Sequence, residues 1–309
     1  MKIKDLYINS INWKFILSIS VSVLALFYTL NNFQVDKLFD IIARVKLRYI
    51  FSAVSLLILS VFLRALRWKL LFDNKKISIK NLFNYQLIGY FGNNVFPLRA
   101  GEFLRCIFLS KDYNISKSTA FGTVVLERFL DIIGMIALLG SLLFLLEVEI
   151  QIIYWLVLVL LVIILFIIYK FNFLYNGNNR ILLIINDIMN GFRSLSYLNI
   201  IPTIIYTIFI WSIYTIIVYL VQYSMNLNID IINCIFILFI SSLALAIPSA
   251  PANIGTFELS VVSAMNIIGI SMYQLEFAII LHLVTFIPYT IIGGILFVYY
   301  NYQVLGNKK

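Results

Sequence analysis

Residues 97–102 read PLRAGE, and residues 251–258 read PANIGTFE. Each segment has a proline, three further residues, a glycine and then a glutamate within the next helical turn, and each interrupts an apolar stretch. Proline and glycine break helices, and the break leaves backbone N–H and C=O groups that lipid cannot satisfy. Such breaks persist in a membrane only where protein or a water-filled cavity surrounds them. Two of them at corresponding places in two halves of a chain predict a substrate site near the bilayer midplane.

The composition predicts an integral membrane protein. Of 309 residues, 62% are hydrophobic and 12% are charged, whereas a soluble domain is about half apolar and about a quarter charged. We therefore expect one all-α transmembrane domain, residues 1–309, with no soluble domain. The two cysteines, Cys106 and Cys234, are far apart and match no metal or disulfide spacing, so we expect neither a metal site nor a cofactor.

The formal charge of +9 is first a topological signal, since Lys and Arg are retained in short cytoplasmic loops. Outside the apolar spans there is no dense basic segment with interleaved aromatic residues, so we do not expect nucleic-acid binding.

About 20 apolar residues cross the hydrocarbon core. The hydropathy pattern predicts six full spans and two broken or re-entrant segments, the latter near 81–110 and 231–270. The full spans lie near 13–30, 49–68, 118–146, 151–170, 201–223 and 275–300. The first is too long for a signal-peptide core and is expected to stay uncleaved. Counting 231–247 and 254–270 as full spans gives an eight-span alternative.

The loop charges predict the orientation. The stretch 64–80 should be cytoplasmic, because it carries one acid, Asp73, against six bases: Arg64, Arg67, Lys69, Lys75, Lys76 and Lys80. Glu147 and Glu149 fit an outer loop, and Lys308 and Lys309 fit a cytoplasmic C-terminus. The N-terminus is then cytoplasmic as well, in a multi-pass protein of the plasma (inner) membrane. The basic loop 31–48 falls outside in this arrangement, against the rule, and the apolar stretch 181–198 is expected to lie along the inner surface.

If both interrupted segments are hairpins, two similar units emerge. Residues 49–146 and 201–300 each contain a span, a hairpin and a second span. The first hairpin enters from the cytoplasm and the second from outside, which is an inverted-topology repeat.

Three charged residues lie in and just after the first break and are candidate substrate contacts: Arg99, Glu102 and Arg105. If Gly101 opens a half-helix after Pro97, the free N–H groups of that half-helix attract anions, including phosphate. The alternative is that all three residues lie in the headgroup zone, with the arginines extended towards water.

Glu127, Arg128 and Asp131 are expected about 15 Å into the span 118–146 and on one helical face. A charge at the bilayer centre costs about 2.5–3.5 kcal/mol, so an ionisable group there indicates function by default. The alternative is a structural ion pair that locks helices together.

Glu258 and His282 are the counterparts in the second half. Glu258 lies in the first turn after Pro251 and Gly255, and His282 is the only histidine. The histidine is either a hydrogen-bonded packing residue or part of a polar cavity. No GxSxG, Walker-type or HExxH motif is present, so the sequence does not predict an enzyme.

The chain resembles a known family on four segments: residues 64–68 (RALRW), 94–105, 125–131 and 248–258. The family is the flippase-like transmembrane region of lysylphosphatidylglycerol synthase, or multiple peptide resistance factor. The resemblance implies a polytopic inner-membrane protein that binds and translocates an anionic or aminoacylated phospholipid or a related lipid-linked substrate. Unlike the two-part synthases of that family, this chain is expected to have no soluble aminoacyl-transfer domain, so the resemblance does not imply lysyl transfer. His282 also stands where an arginine is expected, and Asn253 where a glycine is expected.

The leading hypothesis is a lipid flippase or transporter that binds a head group between the two half-helix ends. Arg99, Arg105 and Arg128 would be counter-charges for an anionic head group. Glu127, Asp131 and Glu258 would pair with those arginines or recognise a cationic head group. The alternatives are a membrane-embedded enzyme, or a scaffold for a soluble synthase or glycosyltransferase partner.

Overall fold

The computed structural model describes residues 20, 23–25, 27, 43–72, 77–96, 100–145, 179–245 and 249–306. Within these ranges all regular secondary structure is helical. The helices longer than one turn are α1 Leu47–Lys69, α2 Ile79–Val95, α3 Gly101–Tyr113, α4 Lys117–Leu145, α5 Arg180–Phe192, α6 Ile200–Ser224, α7 Ile231–Ala244, α8 Thr256–Ile267 and α9 Gln274–Gly306. The predicted span near 151–170 and most of that near 13–30 lie outside the described residues, as do Pro97 and Arg99.

Three helices of the described part are long and apolar enough to cross a membrane: Leu47–Lys69, Tyr197–Ser224 and Gln274–Asn301. They coincide with the spans predicted near 49–68, 201–223 and 275–300. The span predicted near 118–146 forms one continuous helix, α4, of 29 residues. The prediction of an all-α chain with several apolar helices is therefore confirmed.

Both interrupted segments form two helices that pack against each other, α2 on α3 and α7 on α8. These four helices have 17, 13, 14 and 12 residues. All are shorter than the ~20 residues that a full crossing needs. The second helix of each pair begins at the predicted glycine, α3 at Gly101 and α8 directly after Gly255. Re-entry of these hairpins into a membrane stays a prediction.

The first hairpin closes through direct backbone contact. A Cβ atom placed on Gly101 would lie 1.8 Å from the Gly89 carbonyl oxygen and 2.6 Å from the Asn93 nitrogen. Only glycine allows α3 to begin this close to α2.

The second break is a tight turn in the left-handed region. The φ angles are 57° at Ala252 and Asn253 and 88° at Gly255. Asn253 therefore adopts the positive φ that a glycine would otherwise supply, as asparagine does more readily than most residues.

The helices of the two halves pack across each other in matching pairs. The helix α1 packs on α6, the helix α2 packs on α9, and the helix α7 packs on α4. One apolar core lies among α1 and α6 to α9, and a second lies among α1 to α4. The helices α1, α3 and α4 of the second core also carry the cluster of arginines and carboxylates described below.

Candidate functional site

Asp131 is the point where the charged residues of α4 meet α1. Its Oδ2 accepts a hydrogen bond from Arg64 Nη1 at 2.7 Å, and its Oδ1 accepts from Arg67 Nη2 at 2.8 Å. Arg67 is fully buried, and Arg64 and Asp131 are nearly so. Each arginine has a further partner on α6, since Arg64 Nε donates to Tyr214 at 3.1 Å and Arg67 Nη1 donates to Thr207 at 3.0 Å.

Glu127 is one helical turn away and holds α3 and α2 to α4. Its Oε2 accepts from Arg105 Nη1 at 2.7 Å, and its Oε1 accepts from Gln86 Nε2 at 3.2 Å. Arg105 Nη1 also donates to Gln86 Oε1 at 2.8 Å, and its guanidinium lies over the ring of Trp68, 5.0 Å from the ring centre. Arg105 and Glu127 are both buried within the protein, so the Arg105 side chain does not extend into the surroundings.

Glu102, in the first turn of α3, completes the cluster. Its Oε2 pairs with Arg105 Nη2 at 2.7 Å, and its Oε1 accepts from Asn93 Nδ2 at 3.2 Å. The same Oε1 pairs with Arg128. The Arg128 side chain is 47% exposed, whereas the other ionised side chains of this cluster are at most 14% exposed.

The charges of this cluster do not balance. We call it the arginine cluster; its described ionised members are Arg64, Arg67, Arg105, Arg128, Glu102, Glu127 and Asp131. Four arginines face three carboxylates, which leaves one positive charge. Arg128 is the half-exposed member of the cluster.

Arg64 and Arg67 entered the charge count of the stretch 64–80, but they are not loop residues. The cytoplasmic side of that stretch stays a prediction. Both arginines lie inside α1, and their guanidinium groups are buried against α4. Their spacing of three residues places them on one helical face, which together with the apolar residues before them is the signal that could have indicated burial. Hydropathy alone does not separate a helix end from the loop that follows.

Sequence reasoning also missed the uncharged members of the cluster. Gln86, Thr207 and Tyr214 each hydrogen-bond a buried charge. Their only sequence signal is a polar side chain within an apolar stretch, which many packing residues share.

In the second half, Glu258 performs two tasks in the first turn of α8. One carboxylate oxygen, Oε2, accepts from the Gly255 N–H at 2.7 Å and so caps the helix. The other, Oε1, pairs with His282 Nδ1 on α9. His282 is packed between Phe257 and Phe286.

The pair forms part of the wall of a pocket of about 260 Å³. Its lining residues are Asn94, Ala252, Ile254, Glu258, Ile279, His282, Leu283, Phe286, Ile287 and Thr290. Asn94, from the end of α2, donates to Thr290 Oγ1 at 2.9 Å. This hydrogen bond connects the first hairpin to the second half.

The structure thus brings Glu102, Arg105, Glu127, Arg128 and Asp131 together. It pairs Glu258 with His282 separately, and among the described residues no ion pair joins the two groups. The two groups nevertheless share one design. A glutamate in the first turn after a glycine pairs with a basic residue on the following long helix, Arg128 in one half and His282 in the other.

Replacing Glu258 tests the second pair. In Glu258→Ala, the Gly255 N–H and His282 lose their shared acceptor, which should cost about 1–3 kcal/mol of unfolding free energy. Glu258→Gln should cost clearly less, because glutamine also serves as the third residue of a capping box. Unfolding in detergent by titration with sodium dodecyl sulfate measures both. Equal losses in the two variants would show that the cap contributes nothing.

The chain is similar to known membrane proteins. The family model described as "Lysylphosphatidylglycerol synthase TM region" matches residues 15–293. A UPF0104 membrane protein of Methanocaldococcus jannaschii is 29% identical over 231 residues, covering 71% of this chain and 98% of the relative. A second UPF0104 membrane protein of the same organism is 36% identical over 100 residues, 31% of this chain and 30% of the relative. One from Pyrococcus horikoshii is 30% identical over 107 residues, 33% of this chain and 32% of the relative.

Proposed function

This chain belongs to the family of the lysylphosphatidylglycerol synthase transmembrane region, and from that membership we propose that it binds a phospholipid or lipid-linked substrate and moves it across the membrane. The head group is anionic or aminoacylated, and its phosphate binds at Arg128. The protein acts as a transporter and not as an enzyme, in the plasma membrane, with both termini in the cytoplasm. The family description names a lipid synthase, which favours a lipid ligand.

The observation that carries this proposal is the surplus positive charge of the arginine cluster. Arg64, Arg67 and Arg105 are buried and each contacts a carboxylate at 2.7–2.8 Å. Arg128 is half-exposed beside them. A guanidinium is the side chain best suited to bind phosphate through two parallel hydrogen bonds.

The proposed movement rests on an inverted repeat. The units 49–146 and 201–300 each place two short packed helices between two long ones, in the same order along the chain. The matching contacts α2 on α9 and α7 on α4, and the equivalent pairs Glu102–Arg128 and Glu258–His282, support a pseudo-twofold relation. In transporters built this way, one repeat rocks against the other around a central site. We place the two hairpins in the membrane from opposite sides.

Lipid retention tests the proposal. Gently solubilised protein is analysed by native mass spectrometry, and any bound lipid is identified. We expect the wild type to retain one lipid class with a phosphate head group. Arg128→Ala should bind that lipid at least about tenfold more weakly, since charged hydrogen bonds contribute about 1.5–3 kcal/mol.

Arg48→Ala is the matched control, because Arg48 is an exposed arginine at the start of α1, outside the cluster. It should retain lipid as the wild type does. Equal retention by wild type and Arg128→Ala would overturn the site. Turnover of the retained lipid into a new product by the purified protein would favour an enzyme.

A further inference from the structure

We propose that Glu102 is a built-in competitor for the ligand of Arg128. In this structure its carboxylate occupies the position at which a phosphate anion binds, and the phosphate must displace it. This inference rests on the proposed function, because it requires that an anion binds at Arg128. It assigns Glu102 the role of weakening anion binding at Arg128, whereas the sequence predicted that Glu102 contacts the substrate.

Arg128 has one effective counter-ion among the described residues. Glu102 is in direct contact with it, while Asp131 lies 3.6 Å away and holds Arg64 and Arg67 at 2.7 and 2.8 Å. Asp131 is therefore committed to the buried arginines. Glu127 is likewise held by Arg105 and Gln86.

Glu102 can leave Arg128 without becoming unpaired. It keeps Arg105 at 2.7 Å and the Asn93 amide at 3.2 Å, and both contacts lie within the first hairpin. Release therefore leaves no buried carboxylate without a partner, which would otherwise be strongly unfavourable. Because a carboxylate and a phosphate use the same guanidinium donors, the two anions exclude each other.

The exposures of the two side chains agree with this exchange. The Arg128 side chain is 47% exposed, and that of Glu102 is 14% exposed. An incoming anion thus meets the arginine first and replaces the carboxylate from the open side. The three buried arginines of the cluster offer no such approach, since their side chains are at most 9% exposed.

The test is a titration of purified protein in a neutral detergent with dihexanoyl phosphatidylglycerol, and separately with inorganic phosphate. Glu102→Gln should bind the lipid about fivefold more tightly than the wild type, the upper end for one partly exposed ion pair. Arg128→Gln should bind at least about tenfold more weakly. Asp230→Asn, which removes an exposed carboxylate but retains a side chain that caps α7, should match the wild type.

Each result has one meaning. If Arg128→Gln weakens binding but Glu102→Gln does not tighten it, the competitor is refuted and the phosphate site stands. If neither lipid nor phosphate distinguishes Arg128→Gln from the wild type, the proposed site itself fails. Tightening towards both probes identifies the phosphate group as the recognised part, and tightening towards the lipid alone shows that the glycerol and acyl groups are also required.

Should Glu102→Gln fail to fold, Glu102→Asp replaces it. The shorter side chain keeps its charge beside Arg105 but moves the carboxylate one methylene away from Arg128. The pair with Arg128 is then weaker, so this variant should also tighten binding. Unchanged or weaker binding of Glu102→Asp would refute the competitor.

Discussion

Asp131→Ala is expected to lower the free energy of unfolding by about 3–5 kcal/mol, because it leaves two buried arginines without their carboxylate partner. Arg64 and Arg67 both bind this carboxylate, and the nearest other carboxylate to Arg67 is Glu127 at 3.8 Å. The measurement is unfolding by sodium dodecyl sulfate in detergent, followed by a thiol-reactive dye. Cys106 and Cys234 are free and buried, so both react only as the protein opens.

The control for Asp131→Ala also removes the two arginine charges that Asp131 neutralises. The triple variant Arg64→Met, Arg67→Met and Asp131→Leu should recover most of the lost stability, because apolar residues can replace a buried ion group at little cost. Recovery would show that the loss came from unpaired charge. If Asp131→Ala unfolded like the wild type, the buried geometry of the cluster would be wrong.

Gly101→Ala should prevent the first hairpin from closing. The added methyl group would lie 1.8 Å from the Gly89 carbonyl oxygen, and backbone atoms cannot move aside as a flexible side chain can. Overpacking of a core side chain already costs about 1–3 kcal/mol, so we expect a loss at or above about 3 kcal/mol and a low yield of folded protein. Size-exclusion chromatography and the unfolding titration measure both.

Gly89→Ala is the matched control at the same helix crossing. A methyl group there finds its nearest neighbours at 3.4 Å, which is ordinary contact, and alanine favours the helix over glycine. We expect its stability to equal or slightly exceed that of the wild type. If both alanine variants behaved alike, close approach at Gly101 would not explain the need for glycine.

Much of the fold could be predicted because backbone N–H and C=O groups must be hydrogen-bonded within the protein when they lie in lipid. The bounds predicted for the spans at 49–68, 118–146, 201–223 and 275–300 fall within a few residues of the helices, with the last helix extending to 306. Long apolar stretches must be helical in lipid, and each Pro-x-x-x-Gly segment followed by a glutamate predicted a break. The starts of α3 and α8 follow from the same argument.

The partners of the charged residues could not be predicted in the same way. The spacing of Glu127, Arg128 and Asp131 indicates a shared region but does not show which helix supplies the opposite charge. Arg64 and Arg67 were interpreted only as topology signals, because a cation near a helix end satisfies the charge rule for loops equally well. Their depth follows from the packing of α1 against α4 and α6, which involves residues more than 60 positions apart.

The two asparagines at the end of α2 connect the halves of the molecule. Asn93 binds Glu102, and its neighbour Asn94 binds Thr290 on α9. Because Asn93 and Asn94 are neighbours in one helical turn, a displacement of Glu102 and a displacement of α9 both act on the last turn of α2. If a ligand bound near Glu102 changes the packing of α9 by a given free energy, a change in α9 alters ligand binding by the same free energy. A substitution in the last turn of α2 would therefore change the energetic coupling between the two halves.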